Sequence, residues 1–167
     1  NSPMQLDELA NEILQIAAAQ AGAELGRQKA EQALRASEEV ARESERRLDT
    51  LLNHLPGMAY RCFNDRDWTM QVVSQGAEAL TGYRPDELQG NRVTSFAALI
   101  HPDDQEKLFD EVQLAIVSKR PYRVVYRLKH RDGESRWMWE QGQAVMGPDG
   151  EIVCLEGFIS DVTDQQE

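Results

Sequence analysis

The sequence predicts an α+β domain built on an antiparallel sheet and carried behind one long helix. Three observations predict it. The stretch from Met4 to Leu55 holds no proline and is rich in Ala, Glu, Gln, Leu and Arg. Pro56-Gly57 then breaks that texture. Beyond the break come two strand patterns, a helical insert and three more strand patterns. Strands in runs on either side of helices argue for α+β rather than a strictly alternating parallel fold. The expected boundaries are a helical segment over 4–55 and a folded domain over 56–167.

The first segment is made of good helix formers. With Leu6 at heptad position a, the a series is Leu6, Ile13, Gln20, Arg27, Leu34, Ala41, Leu48 and Leu55. The d series is Leu9, Ile16, Ala23, Ala30, Ser37, Ser44 and Leu51. Such a 3,4 alternation is a coiled-coil seam. At ~1.5 Å per residue the rod is roughly 75 Å long, more than a small domain can bury, so a partner helix is implied. The expected arrangement is a homodimer through this helix, with Leu6, Ile13, Leu34, Leu48, Leu51 and Leu55 at the interface. Gln20, Arg27, Ser37 and Ser44 weaken the middle of the seam, and such polar core positions can fix register or leave a two-state element. A solvated helix with imperfect packing is the alternative. Pro56 ends the helix by disfavouring α geometry at Leu55.

After Pro56, Met58–Phe63 and Trp68–Ser74 read as strands joined by the turn Asn64-Asp-Arg-Asp67. Short helices are expected at Ala77–Leu80 and Arg84–Leu88, where Pro85 suits a first helical turn. His101-Pro-Asp-Asp104 opens a longer helix to about Val117, with acidic residues where the helix N-terminus favours negative charge. His101 reads as a hydrogen-bonded turn residue. Tyr122–His130 alternates, Asp132-Gly133 is a hairpin signal with His130 at a solvated tip, and Ser135–Val145 is the next strand. Pro148-Asp-Gly150 turns into a last strand over Ile152–Val162.

Composition narrows the function. A net charge of −11 argues against nucleic acid, which needs a basic face, and against an anionic membrane surface. No apolar run approaches the ~20 residues that span a bilayer, so no direct membrane contact and a cytoplasmic setting are expected. Cys62 and Cys154 lack metal-type spacing and the histidines at 54, 101 and 130 lie far apart, so no metal site is expected. There is no Gly-rich phosphate loop, no Gly-x-Ser-x-Gly elbow and no His-Glu-x-x-His, and no catalytic residue is assigned. Asp103-Asp104 reads as capping and dipole partners.

Four motifs in order resemble the PAS family of sensory domains, over about residues 51–167. They are Ala77-Glu-Ala-Leu-Thr-Gly-Tyr83 with Pro85-Asp-Glu-Leu88, Ile100-His-Pro-Asp-Asp104, Arg131-Asp-Gly133 with Arg136-Trp137, and Gly157-Phe-Ile-Ser-Asp-Val-Thr163. The stretch Ile16-Ala-Ala-Ala-Gln20, within residues 6–34, resembles the terminal helix of a GAF sensory domain running into a signalling helix. The PAS resemblance implies a five-stranded antiparallel sheet, with short helices and one longer helix on one face and a cavity between them. Haem-binding relatives use a His on the long helix, and this helix has none. Flavin-binding relatives carry an Asn-Cys-Arg-Phe-Leu-Gln motif where this chain has Asn91-Arg-Val-Thr-Ser-Phe96. Neither a haem nor a cysteinyl-flavin is therefore expected, which leaves an unknown small molecule or no ligand.

Strand parity names the residues around such a cavity. With Arg123, Arg127 and Lys129 toward water, Tyr122, Val124, Tyr126 and Leu128 turn inward. Tyr60 and Cys62, Met138 by the family hairpin, Leu155 and Ile159, and Phe109 or Val112 on the helix complete the set. The same residues also make sense as a packed core without a ligand. Trp137, Trp139 and Phe158 fall on the outer face as an interface patch. Their candidate cover is the helix end at Leu48, Leu51 and Leu52, from the same chain or a partner. The resemblance implies that Asp161 and Thr163 couple the sheet to an output domain following in a longer protein. Two functions stand. One is a signal-input and dimerisation module of a sensor histidine kinase or diguanylate cyclase, and the other a ligand-free PAS interaction scaffold.

Overall fold

The computed structural model describes residues 3–166. Helix α1 runs unbroken over Pro3–His54. By their contacts, residues up to Arg47 form one unit and residues from Leu48 onward a second. The seam residues Leu6, Ile13, Leu34, Leu48 and Leu51 on α1, and Leu55 just past its end, are all exposed on the single chain. The helix supports itself by pairs one turn apart. Arg27 reaches Glu24 at 2.6 Å and Glu31 at 2.9 Å, and Arg47 reaches Glu43 at 3.0 Å. Each exposed pair contributes only ~0.2–0.5 kcal/mol, so burial of the seam is the larger stabilisation left unused.

In the second unit the elements follow as β1 (Met58–Cys62), β2 (Met70–Val73), α2 (Gly76–Thr81), α3 (Pro85–Leu88), α4 (Phe96–Leu99) and α5 (Pro102–Val117). Three long strands then close the chain: β3 (Tyr122–Lys129), β4 (Ser135–Met146) and β5 (Ile152–Asp161), ending in a 3₁₀ turn at Thr163–Gln165. The five strands form one antiparallel sheet in the order β2-β1-β5-β4-β3. Pairing of β5 with β1 brings the end of the domain beside its start. One face of this sheet and the apolar sides of α2, α3, α4 and α5 share a single core.

Two elements were not foreseen. Helix α4 is one turn, opened by the Ser95 hydroxyl accepting from Ala98 N–H at 3.2 Å. The terminal 3₁₀ turn follows Asp161, whose carboxylate accepts the Thr163 N–H at 2.9 Å. His130, Asp104 and Arg127 depart from the sequence expectation, whereas His101 keeps to it. His101 does cap α5, its Nδ1 accepting from Asp103 N–H at 3.1 Å. His130, expected in water, is packed instead. Its side chain is 14% exposed, and its ring lies where a Cβ on Gly82 would meet it. Asp104, expected only to complement the helix dipole, grips Arg127 on β3 with both oxygens at 2.8 and 3.0 Å and accepts the Arg127 N–H at 2.9 Å. Arg127 is accordingly half-buried rather than water-facing, because the start of α5 crosses its strand.

That grip makes a pH prediction. The Arg127 guanidinium holds the Asp104 carboxyl down to about 2, against an ordinary 3.8. A depressed folded-state pKa stabilises the fold above the unfolded value, and the contribution is lost as pH falls through 2. Asp104→Asn should cost about 1–3 kcal/mol in urea unfolding at pH 7. The difference between variant and parent should shrink as pH falls from 3.8 toward 2 and approach zero only below that in the same measurement.

Candidate functional site

The inner face of the sheet is organised by one row of paired residues crossing four strands. Tyr60 on β1 pairs with Gly157 on β5, Gly157 with Gly142 on β4, and Gly142 with Tyr122 on β3. Two missing side chains in the middle let two large ones lean in from the ends. The hydroxyls of Tyr60 and Tyr122 meet at 2.6 Å over the gap. A Cβ on Gly142 would sit 2.4 Å from the Tyr122 hydroxyl, and one on Gly157 would sit 2.5 Å from the Gln141 carbonyl and 2.6 Å from the Tyr60 hydroxyl.

In the adjacent row stands a carboxylate. Glu140 pairs with Val124 and Ile159, and its side chain points into the core, where it is 7% exposed. The Tyr126 hydroxyl donates to its Oε1 at 3.1 Å. Burial pushes the Glu140 carboxyl up to about 8, against the opposing pull of hydrogen bonds from Tyr126 and Tyr60. Tyr60, Tyr122 and Tyr126 are themselves pushed above their ordinary value by burial and then by the Glu140 charge, as is the Cys62 thiol.

Against this cluster lies a cavity of about 10 Å³, lined by Tyr60, Cys62, Tyr122, Glu140 and Leu155 from the sheet, Trp68 and Met70, Phe96, Leu108 and Val112. A water needs roughly 10–15 Å³ on this measure, so the space is that of one water. Trp68 closes one wall with its backbone at φ 50°, a left-handed conformation that bulky residues rarely adopt and that costs on the order of 1–3 kcal/mol. The turn is held by Asp65, whose carboxylate accepts the Thr69 N–H at 3.0 Å. Arg66 pairs with Glu106 at 2.9 Å and lies 3.8 Å over the Phe109 ring, and Trp68 packs on Phe109 with centroids 5.5 Å apart.

Of the residues expected around a cavity, Tyr60, Cys62, Val112, Tyr122 and Leu155 line it. Tyr126, Leu128, Met138 and Ile159 are fully buried in the same core but do not reach the space. Phe109 is half-buried and outside it, because the inward stripe of α5 runs through Leu108, Val112 and Ala115 and the next residue points about 100° away. Glu140, Trp68, Met70 and Phe96 were missed from the sequence. For Glu140 the signal was present, since it stands two residues after Met138 and shares its face.

On the outer face, Trp137 is exposed, while Trp139 and Phe158 are half-buried and outside the inner core. Trp139 and Phe158 border a groove with Gln141, Gln143 and Glu156. The helix end expected to cover them is placed otherwise in this chain. Leu52 lines a groove with Ala59, Arg61 and Val72, at the β1–β2 side of the sheet. Trp137 is flanked instead by Arg127, whose guanidinium stands 5.6 Å from the ring centroid. The main chain of Trp137 holds the end of the domain. Its N–H donates to Thr163 Oγ1 at 3.0 Å, and its carbonyl accepts the Val162 N–H at 2.8 Å. Asp161 accepts from the Thr163 hydroxyl at 2.5 Å.

A family model described as the PAS fold matches residues 71–159, more than half of the chain. The chain belongs to the PAS fold family. Among curated proteins it is similar to a methyl sulfide methyltransferase-associated sensor of Methanosarcina acetivorans, 27% identical over 77% of this chain and 13% of that protein. A blue-light-activated histidine kinase of Brucella anthropi is 27% identical over 70% of this chain and 23% of the kinase. Among solved structures, a sensory box histidine kinase/response regulator of Burkholderia thailandensis is 27% identical, with a TM-score of 0.57 over 72% of this chain and 87% of that one. The chain thus spans a quarter or less of these curated relatives. Its PAS domain is a signal-input module of the kind found in signalling proteins.

The glycine row gives a prediction for this site. Gly157→Ala should destabilise the domain by about 1–3 kcal/mol, because the added methyl meets the Gln141 carbonyl and the Tyr60 hydroxyl together. Urea unfolding followed by far-ultraviolet circular dichroism measures it.

Proposed function

We propose that this chain dimerises through α1 and passes a signal from its PAS domain to an output domain, a histidine kinase or a diguanylate cyclase, in a longer protein. The observation that carries the reading is the heptad seam of α1, exposed on the single chain from Leu6 to Leu51. A second copy of the same helix buries that seam. Parallel support comes from the relatives, which are several times longer than this chain and include a histidine kinase. In this reading the chain itself is not an enzyme, the setting is cytoplasmic and the polar seam positions Gln20, Arg27, Ser37 and Ser44 make pairing adjustable. No helix among the described residues is long and apolar enough to cross a membrane. The Trp137, Trp139 and Phe158 face is the surface on which a partner would register the state of the sheet. Asp161 and Thr163 are the exit.

A second reading, a ligand-free PAS interaction scaffold, is favoured by the cavity, whose volume is that of one water. A small molecule at Tyr60, Cys62, Val112 and Leu155 would require the wall at Trp68 to move. Native mass spectrometry and a thermal-shift ligand screen separate the two. A bound compound or a reproducible shift supports the sensor of a small molecule, and neither supports the scaffold.

Sedimentation of the purified chain should give a dimer, and Ile13→Asp with Leu34→Asp should give a monomer without changing the unfolding midpoint of the PAS domain. A monomeric parent chain at tens of micromolar would refute the dimer. In the longer protein, Thr163→Ala should change basal output by several-fold with at most a small change in expression level, read as autophosphorylation or cyclic-dinucleotide synthesis.

A further inference from the structure

We infer that Glu140, enclosed with the hydroxyls of Tyr60, Tyr122 and Tyr126, is a proton-binding site whose occupancy is relayed along β4 to the exit of the domain. The inference rests on the reading of this PAS domain as a signal-input module and names its signal as a proton. Geometry carries it. The cavity beside Glu140 has about 10 Å³, room for one water, so a proton is the occupant that can exchange without rebuilding the core.

Among the described residues, no cation lines the space beside the carboxylate. Tyr60 and Cys62 face it from β1 and Tyr122 and Tyr126 from β3, while α4 and α5 bring only Phe96, Leu108 and Val112 to the cavity. Lys, Arg and His are absent from the lining. A buried carboxyl without a counter-charge keeps its proton until solution pH removes it. The tyrosines and Cys62 are held protonated by the same burial, so Glu140 is the group in this cluster that titrates first.

The ionised state needs water. The carboxylate has only the Tyr126 and Tyr60 hydroxyls as donors and space for a single solvent molecule, so ionisation strains the packing on β4. Three residues along the same strand, the Trp137 N–H and carbonyl hold Thr163 and Val162. The proton site and the exit therefore share one strand.

The sign of the pH effect follows from the raised pKa. The folded chain keeps the Glu140 proton where the unfolded chain has released it. Stability is therefore fully present below about 4.5, declines as pH rises toward 8, and levels off above it. The experiment is an NMR titration of the whole chain from pH 5 to 10, following the Glu140 side-chain carboxyl carbon and the Trp137 and Thr163 amides. The carboxyl should titrate near 8, and both amides should follow the same midpoint. Glu140→Gln, which keeps the shape and removes the proton, should leave those amides flat across that range. Tyr126→Phe, which removes a donor to the ionised form, should move the midpoint upward. A carboxyl midpoint in the ordinary range near 4.5, read on the parent chain without any variant, would overturn the site. Amides at Trp137 and Thr163 that ignore the carboxyl would overturn the relay. Neither readout depends on dimerisation or on an output domain, so failure here is distinct from failure of the module reading.

Discussion

Four residues in one register row, Tyr60, Gly157, Gly142 and Tyr122, hold the inner face of the sheet together. Their constraint is steric before it is chemical. Two glycines on β5 and β4 leave a trough, and two tyrosine rings fill it from either side until their hydroxyls meet at 2.6 Å. A side chain at either glycine would push a ring away and reopen the core. The closure leaves only about 10 Å³ beneath α5, and it places hydroxyls next to the one carboxylate on that face. Shape, polarity and size of the interior space all follow from this row.

The strands and the long helix were legible because their periods are short and repeated. Tyr122, Val124, Tyr126 and Leu128 alternate inward as the pattern of β3 demands, and the outward direction of Trp137 and Trp139 follows once Met138 is placed inside. Glu140 was legible by the same parity and was overlooked because a charge reads as an exposed position. Burial of a carboxylate is rare, and strand period is the stronger guide when the two conflict. The glycine row was not legible. It depends on which residues of four strands come opposite one another, and register across non-consecutive strands is fixed by tertiary packing. The bond of Asp104 to Arg127 joins positions 23 residues apart and escaped for the same reason. Phe109 was offered beside Val112 as a cavity residue of the helix, although helical geometry turns it toward Trp68 and Arg66.

The two parts of the chain are stabilised in different ways. The PAS domain buries its apolar residues against its own helices, and its exposed ion pairs contribute little. In α1 the proportions are reversed, with no buried residue along 52 positions and a run of intrahelical Arg–Glu pairs. Arg27 shows the consequence for pairing. It occupies a seam position yet already satisfies its charge with Glu24 and Glu31 on its own helix. Closing the seam there would not strand a bare guanidinium, and the cost of a polar core position is reduced to side-chain rearrangement.

Strand β4 is where the interior and the exterior of the domain are mechanically the same object. Successive residues on a strand face opposite sides, so Glu140 meets the core while Trp139 beside it meets the outer groove. Neither can move along the strand direction without the other. At Trp137 the same strand, still paired with Arg127 on β3, also holds Thr163, and Arg127 ties it back to Asp104 at the start of α5. A change in the charge of Glu140 therefore acts on a strand clamped at a helix on one side and at the chain exit on the other. Helix α5 resists displacement through two hydrogen-bonded oxygens of Asp104, whereas the exit is held by one hydroxyl and one backbone bond at the edge of the domain. The exit is the softer clamp, and strain introduced at Glu140 is relieved there first.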